Sequence, residues 1–316
     1  MRPLSVGGSI TAGLVLLLWI APPAVTARAN AGRATAPVRA KLPLNTIRRA
    51  ASDLEVGGEL AGLAAGLTRY VAQDSLLALS LATYTVADDS NFVGATKISG
   101  VPLEELVRML GAAPESDMVV AICDDKYRAN YPRAYMAAHH PLLVLRVNGE
   151  PPARWPKDPE TRRLDMGPYM ISHPRFAPSF KVLAHSDEAQ IPWGVVRIEF
   201  RNEKAVLGAI APRGARAEQA SVQAGYRIAQ QNCFRCHNAG REGGEKSGRP
   251  WLVLAAWAAA SPDFFEDYVR DPKKRNEHTQ MPGNPGYDRQ TTGALRNYFA
   301  TFITTTASSS TSAGKP

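Results

Sequence analysis

The segment Asn232-Cys233-Phe234-Arg235-Cys236-His237 places the strongest constraint on this chain of 316 residues. Two cysteines are separated by two residues, and a histidine directly follows the second cysteine. On one turn of chain this spacing brings two thiols and an imidazole together. It fits three kinds of site, namely covalent haem attachment, a redox-active dithiol and half of a zinc site.

The residues around the cysteine pair favour haem attachment. A zinc site needs further Cys or closely spaced His ligands, and the C-terminal third offers only His278. A thioredoxin-like dithiol begins a helix after a strand, whereas a helix-like segment precedes this motif. We therefore predict one covalent haem c, attached through Cys233 and Cys236, with His237 as the proximal ligand of the iron.

The second ligand of the iron is expected from the loop before the last predicted helix. Met281 is the only methionine after the motif, and Pro282 follows it. A thioether ligand raises the reduction potential and is used by electron-carrying cytochromes. The sequence favours Met281, with His278 as the rival ligand. If Met281 only filled a gap in the core, the iron would be left open or His-ligated.

Three helices are predicted around the motif. Residues 217–231 lack proline and show apolar residues at helical spacing. Ser261-Pro262-Asp263 is typical of a helix start, and Pro272 ends that helix. A last helix over about 290–304 carries aromatic residues on one face. We expect these aromatic residues to pack against Gly225-Tyr226, because glycine lets two helix backbones approach closely.

These features resemble a class I cytochrome c domain over about residues 217–305. The resemblance rests on Gly225-Tyr226 before the cysteine pair, on Met281-Pro282 and on the aromatic last helix. It implies an all-α domain, iron held by His237 and Met281, and transfer of single electrons. In that family a proline after the motif buttresses the proximal histidine, and Pro250 lies where that residue is expected. A single haem motif disfavours the two-haem peroxidases of this superfamily.

The residues before the motif predict a mixture of strands and helices, and so an α+β domain. Residues 118–123 and 142–147 are apolar runs typical of buried strands, and residues 193–200 alternate apolar and charged residues as a final strand. Short helices are predicted over 75–81 and 101–110.

Short motifs in this part are similar to the molybdopterin-binding domain of the sulfite oxidase family, over about residues 51–205. The resemblance implies that fold for the N-terminal domain. In chain order the motifs are Leu54-Glu55-Val56-Gly57-Gly58, Ser99-Gly100-Val101-Pro102-Leu103, Asp125-Lys126-Tyr127 (usually Asp-Gly-Tyr in the family), residues 142–151 (LLVLRVNGEP), Gly167-Pro168 and the strand from Trp193.

The cysteine that binds molybdenum in that family has no counterpart at the expected place in this sequence. The resemblance places a ligand cysteine before the Gly-Val-Pro-Leu element, but residues 84–92 (YTVADDSNF) contain none, and no cysteine occurs earlier. Cys123 comes later, in an apolar strand where a buried, inert thiol is expected. Tyr169 replaces the arginine that the family shows after Gly167-Pro168. The sequence thus argues against a bound molybdopterin and assigns no catalytic residue.

Two other groups of residues are candidate ligand sites. A phosphate could be bound by the basic side chains of Lys126, Arg128 and Arg133. The simpler interpretation is that these residues lie in a solvated loop. His139-His140 could be a metal pair, but adjacent side chains point in different directions, so we expect a turn there.

The N terminus predicts export. Arg2 precedes the apolar core Gly13–Ile20, which is too short to span a bilayer as a stable anchor. Candidate cleavage sites follow at Val25-Thr26-Ala27 and Ala27-Arg28-Ala29. An uncleaved membrane anchor is the alternative. We therefore expect a periplasmic or otherwise exported protein.

The predicted organisation combines these segments in chain order. The formal net charge is +8, which favours an acidic partner protein or a membrane face. Nucleic acid is disfavoured because Lys and Arg are scattered. The predicted order is a signal peptide over 1–29, a linker over 30–50, the α+β domain over 51–205, a linker over 206–220, the cytochrome c domain over 221–305 and a disordered tail over 306–316.

The sequence favours an electron-transfer protein, or a subunit of an oxidoreductase complex, over an enzyme in its own right. The N-terminal domain would dock a redox partner such as a periplasmic dehydrogenase, and the haem would pass electrons to an acidic acceptor. The alternative is a molybdenum-dependent oxidoreductase, similar to sulfite dehydrogenase, with a fused haem c. A third hypothesis is a binding module whose vacant pterin fold holds another small ligand.

Overall fold

The computed structural model describes residues 41–155, 166–174 and 190–303. The predicted signal over 1–29 and the tail over 306–316 lie outside the described residues. The described part of the chain belongs to one compact unit. It is a mixed α/β structure with a large sheet and several helices, compatible with an α+β domain. Within these residues no helix is both long and apolar enough to cross a bilayer.

A sheet of nine strands forms the N-terminal part. Its order is β2-β1-β9-β8-β7-β4-β3, and β5 pairs with both β9 and β6. Strands β1 and β9 run parallel, and the other pairs are antiparallel. The strands are β1 (Leu54–Gly58), β2 (Arg69–Val71), β3 (Ala82–Val86), β4 (Thr96–Pro102), β5 (Met118–Cys123), β6 (Arg128–Pro132), β7 (Leu142–Val147), β8 (Tyr169–Ser172) and β9 (Trp193–Arg201).

Strand β5 is apolar throughout because both of its faces are buried. Val119 and Ala121 point into the core between the sheet and its helices. Met118 and Val120 alternate with them and pack into the core of the helical part. A strand covered on both faces shows a continuous apolar run instead of alternation. Strand β5 therefore joins the two parts of the chain.

Three short helices pack on the sheet: α1 (Gln73–Leu77), α2 (Leu103–Leu110) and α3 (Arg133–His139). The helix predicted over 101–110 starts two residues later, because Val101 and Pro102 still pair with β7. The bounds predicted for the helix over 75–81 were wrong. It ends early because the chain enters β3, where Ala82 pairs with Gly100.

Helices dominate the C-terminal part. The helices predicted over 217–231, from Ser261 and over 290–304 are present with shifted ends. The elements are α4 (Glu203–Gly208), α5 (Ala220–Ile228) with a π-helical turn at Ala229–Cys233, the short strands β10 (Asn238–Ala239) and β11 (Glu242–Gly243), α6 (Trp251–Ala260), α7 (Pro262–Arg270), α8 (Pro272–Arg275) and α9 (Arg289–Phe299) with a 3-10 turn at Ala300–Phe302.

Helix α5 packs tightly on α9, as the glycine predicted. A Cβ atom on Gly225 would lie 2.1 Å from the carbonyl oxygen of Ala294 and 2.7 Å from the Cβ of Tyr298. The rings of Tyr226 and Tyr298 stack with centroids 5.6 Å apart. Only glycine permits this approach of the two backbones.

The segment predicted as a linker over 206–220 packs against the helices. It begins inside α4, and Val206 and Ile210 are buried in the core of the helical part. The hydroxyl of Tyr226 donates a hydrogen bond to the carbonyl oxygen of Leu207 at 3.1 Å. The Tyr298 hydroxyl donates to the carbonyl oxygen of Ile210. The sheet and the helices are therefore packed together through this segment.

The contact at Gly225 predicts a stability effect. Gly225→Ala should lower the free energy of unfolding by roughly 1–3 kcal/mol, because the added methyl overpacks the α5–α9 contact. Gly293→Ala is the matched control, since its Cβ would meet nothing within 4 Å. In the interior of α9 it should stabilise by roughly 0.5–1 kcal/mol. Denaturant unfolding of both variants measures the change in the free energy of unfolding. Equal changes in the two variants would contradict the close contact of Gly225 with α9.

Candidate functional site

A cavity of about 580 Å³ lies in the helical part. This volume falls within the range of roughly 300–1,000 Å³ typical of ligand pockets. The four predicted site residues, Cys233, Cys236, His237 and Met281, all line it. Its apolar wall comes from Leu254, Phe265, Val269, Leu295 and Phe299. The chain thus brings the predicted residues to one largely apolar space.

Cys233 ends the π-helical turn, and Cys236 follows it in the next turn of chain. The backbone amides of Cys236 and His237 donate hydrogen bonds to the carbonyl oxygen of Cys233 at 3.2 and 2.9 Å. Gly244 packs on this turn, since a Cβ there would lie 1.8 Å from the carbonyl oxygen of Arg235. The turn is therefore held in one shape by its own hydrogen bonds and by close packing.

Both thiols are protonated at neutral pH. Burial raises the pKa of the Cys233 thiol to about 12 and raises that of Cys236 as well. A redox-active dithiol needs a thiol of lowered pKa, because the thiolate is the nucleophile. This turn supplies the opposite environment. Among the described residues, no three His, Cys, Asp or Glu side chains are grouped to hold a metal ion.

The imidazole of His237 is buried and oriented. Its Nδ1 lies 2.7 Å from the carbonyl oxygen of Arg249. A carbonyl can only accept, so Nδ1 carries the proton and Nε2 keeps its lone pair for a metal. Burial is the main cause that lowers the pKa of His237, which favours the neutral, ligating form. Pro250 follows Arg249 directly at the start of α6.

The loop between α8 and α9 carries Met281 and His278. Met281 is partly buried and packs against the core of the helical part. Its amide donates a hydrogen bond to the hydroxyl of Thr279 at 3.3 Å, and the Tyr268 hydroxyl donates to the same oxygen at 3.2 Å. The His278 side chain is 87% exposed and lies beside Glu277. Both side chains line the cavity, and the greater burial of Met281 favours it over His278 as the candidate ligand.

The sheet also contributes to the cavity. Tyr127, in the turn between β5 and β6, lines it together with the cysteines. In the sequence Tyr127 belonged to a motif of the N-terminal part, and nothing there signalled a role beside Cys233. The contact arises only because strand β5 packs on the helices.

The basic residues near Tyr127 differ in their surroundings. Lys126 is exposed in the turn, as the solvated-loop interpretation predicts. Arg128 instead lies in β6 and pairs with Glu242 at 3.6 Å. Arg133 begins α3 and donates a hydrogen bond to the carbonyl oxygen of Ser116 at 3.1 Å. Arg128 departs from that interpretation, because it lies in a strand with its side chain only 16% exposed beside Glu242. Arg133 is exposed, as expected, although it begins a helix and not a loop.

The two adjacent histidines point apart, as expected. His139 ends α3 and its ring lies 4.3 Å from the ring of Tyr135. His140 takes a left-handed conformation that caps the helix, and its Nδ1 lies 3.5 Å from a carboxylate oxygen of Glu104. The two imidazoles therefore contact different groups.

The stretch that lacks the ligand cysteine falls on β3 and the turn after it. There the carboxylate of Asp89 is buried and accepts a hydrogen bond from the Ser172 hydroxyl at 2.5 Å. Cys123 is 4% exposed and belongs to the core of the sheet. This agrees with the buried thiol that the sequence predicts.

Comparisons with known proteins find matches among solved structures. No family model matches the chain, and no curated protein matches it. Among solved structures, the sulfane dehydrogenase SoxCD from Paracoccus pantotrophus is 15% identical, with a TM-score of 0.33. The alignment covers 50% of this chain and 40% of that chain. The chain thus spans about two fifths of that protein, and a likeness this distant assigns neither family nor activity.

Proposed function

We propose that the protein is an exported monohaem c-type cytochrome that transfers single electrons. The observation that carries the proposal is the shared cavity. Two cysteines spaced for thioether attachment, a neutral buried histidine and a methionine line one apolar space. This set of donor groups fits a covalently bound haem with one nitrogen and one thioether ligand.

Each residue has a distinct task in this proposal. Cys233 and Cys236 would hold the haem covalently, and His237 and Met281 would bind its iron. The bound haem supplies a one-electron couple. The hydrogen bond from His237 to the Arg249 carbonyl fixes the orientation of the ring. The apolar wall excludes water, and the thioether ligand raises the potential.

The proposed partner is an acidic redox protein. Helix α8 carries Lys273, Lys274 and Arg275, all exposed, which we name the basic rim. Asn276 and His278, which follow the rim directly, line the cavity. Arg275 pairs with Asp267 at 2.8 Å, so among the described residues Lys273 and Lys274 supply the unpaired charge of the rim. Positive charge beside the cavity would steer an acidic partner to the haem and would do so less at high salt.

The sheet part is proposed to dock a redox partner without holding molybdenum. Molybdenum in the family that this part resembles is bound by a pterin together with a protein thiolate, a soft ligand that carboxylates replace poorly. Residues 84–92 offer no thiol, and Cys123 is buried in the sheet core. The lack of a thiol at the expected ligand position disfavours the alternative of a molybdenum-dependent oxidoreductase.

Attachment of the haem tests the proposal directly. Protein matured in a periplasm should retain one haem per chain after acid–acetone extraction, because thioethers survive it. Cys233→Ala and Cys236→Ala should each impair retention, whereas Cys123→Ala should keep it, since that thiol lies in the sheet core. A haemochrome assay measures the haem. Recovery of zinc without haem would refute the proposal.

The assignment of Met281 has its own spectroscopic test. The oxidised protein should show the weak near-infrared band of sulfur bound to ferric haem, and Met281→Ala should lose it. His278→Ala should keep the band, because the exposed imidazole is not the ligand. A wild-type protein without the band would instead favour His278 or an open iron.

A further inference from the structure

A turn of the sheet is docked on the segment that carries the two cysteines. We name residues 124–127, between β5 and β6, the hairpin turn. The amide of Arg128 donates a hydrogen bond to the carbonyl oxygen of Arg235 at 2.9 Å, and the amide of Glu245 donates to the carbonyl oxygen of Lys126 at 3.0 Å. Lys246 Nζ lies 2.6 Å from Asp125 Oδ2. Two backbone hydrogen bonds and an ion pair thus fix the two segments together.

The hairpin turn is itself rigid. The amide of Cys123 donates to the carbonyl oxygen of Tyr127 at 2.9 Å, and the amide of Lys126 donates back to the carbonyl oxygen of Cys123 at 3.0 Å. The side chain of Asp125 accepts from the amide of Tyr127 at 3.0 Å. Because β5 and β6 belong to the large sheet, the sheet carries Tyr127, and the contacts of the hairpin turn hold it against the cysteine segment.

Tyr127 holds the arginine that lies between the two cysteines. Arg235 Nη1 donates a hydrogen bond to the Tyr127 hydroxyl at 2.9 Å, and Nη2 donates to Asn232 Oδ1 at 2.8 Å. The Nε of Arg235 donates to the carbonyl oxygen of Gln231. Burial raises the pKa of Tyr127 to about 12, so the phenol is neutral when it accepts this bond. Both side chains line the cavity.

We propose that Tyr127 is a positioning residue, which fixes the Arg235 guanidinium beside the haem and thereby raises the reduction potential. The inference rests on the proposed function. Oxidation of the iron adds a positive charge, and a cation held nearby in a low-dielectric site opposes it. Without the Tyr127 hydroxyl the guanidinium would keep its bonds to Asn232 and Gln231 but lose its partner on the sheet. It could then turn toward water, where its charge is screened and opposes oxidation less. The sheet part would in this way raise the reduction potential of the haem.

The test is a redox titration of the holoprotein and its variants. Tyr127→Phe should shift the midpoint potential downward, with haem content and the visible spectrum unchanged. Arg235→Gln should lower the potential at least as much, and the double variant should match Arg235→Gln alone. Tyr135→Phe is the matched control. It removes a hydroxyl that bonds His173 in the sheet part, away from the cavity, and should leave the potential unchanged.

Two outcomes would overturn the positioning role. One is an unchanged potential in haem-loaded Tyr127→Phe. The other is additivity, in which Tyr127→Phe lowers the potential as much in the Arg235→Gln background as in the wild type. If Arg235→Gln does not retain haem, Arg235→Lys replaces it in the same comparison, because lysine lacks the planar fork that the phenol holds. Wild-type protein without haem would contradict the proposed function itself, so the two failures are distinguishable.

Discussion

Burial of both faces of strand β5 is the constraint on which the rest of the structure depends. Val119 and Ala121 complete the core of the sheet, while Met118 and Val120 complete the core of the helices. Neither part can release this strand without exposing apolar surface, at a cost of about 25 cal/mol per Å². The same strand leads into the hairpin turn, so the shared core also brings Tyr127 to the cavity.

Burial also sets the charge state of the cavity. It keeps the imidazole of His237 neutral and both thiols protonated, while the carbonyl oxygen of Arg249 fixes which ring nitrogen carries the proton. Arg235, Lys246 and Arg249 place positive charge along this space. Of these, Arg235 is held by polar groups of both parts, the hydroxyl of Tyr127 and the amide oxygen of Asn232. In the proposed cytochrome, a neutral imidazole and a cation held at the wall would suit a site that changes charge by one unit.

The sequence predicted those elements whose signal is local. The strands over 118–123 and 142–147 were predicted because each is a continuous apolar run. The packing of Gly225 on the last helix was predicted because the glycine is followed by an aromatic residue and the last helix carries aromatic residues on one face. Helix α6 was not predicted, since residues 251–260 (WLVLAAWAAA) are apolar on nearly every side and show no helical period. The α5–α9 contact could be predicted, but the strand order could not.

The candidate site was predicted in part for the same reason. Cys233, Cys236 and His237 lie within five residues, and Met281 was singled out as the last methionine. The role of Tyr127 was beyond prediction, because 108 residues separate it from Arg235. The ion pair of Arg128 with Glu242 was missed likewise. Such contacts follow from the packing of the sheet on the helices, which no local pattern encodes.

The central claim is that this chain carries a haem and no molybdenum, and one metal analysis tests it most directly. The protein is produced in a host that makes both cofactors, and iron and molybdenum are measured in the same purified sample. We expect one haem iron per chain and no molybdenum. A molybdenum-to-iron ratio near one, with sulfite-dependent haem reduction that Cys123→Ser abolishes, would contradict the claim and make the protein an enzyme.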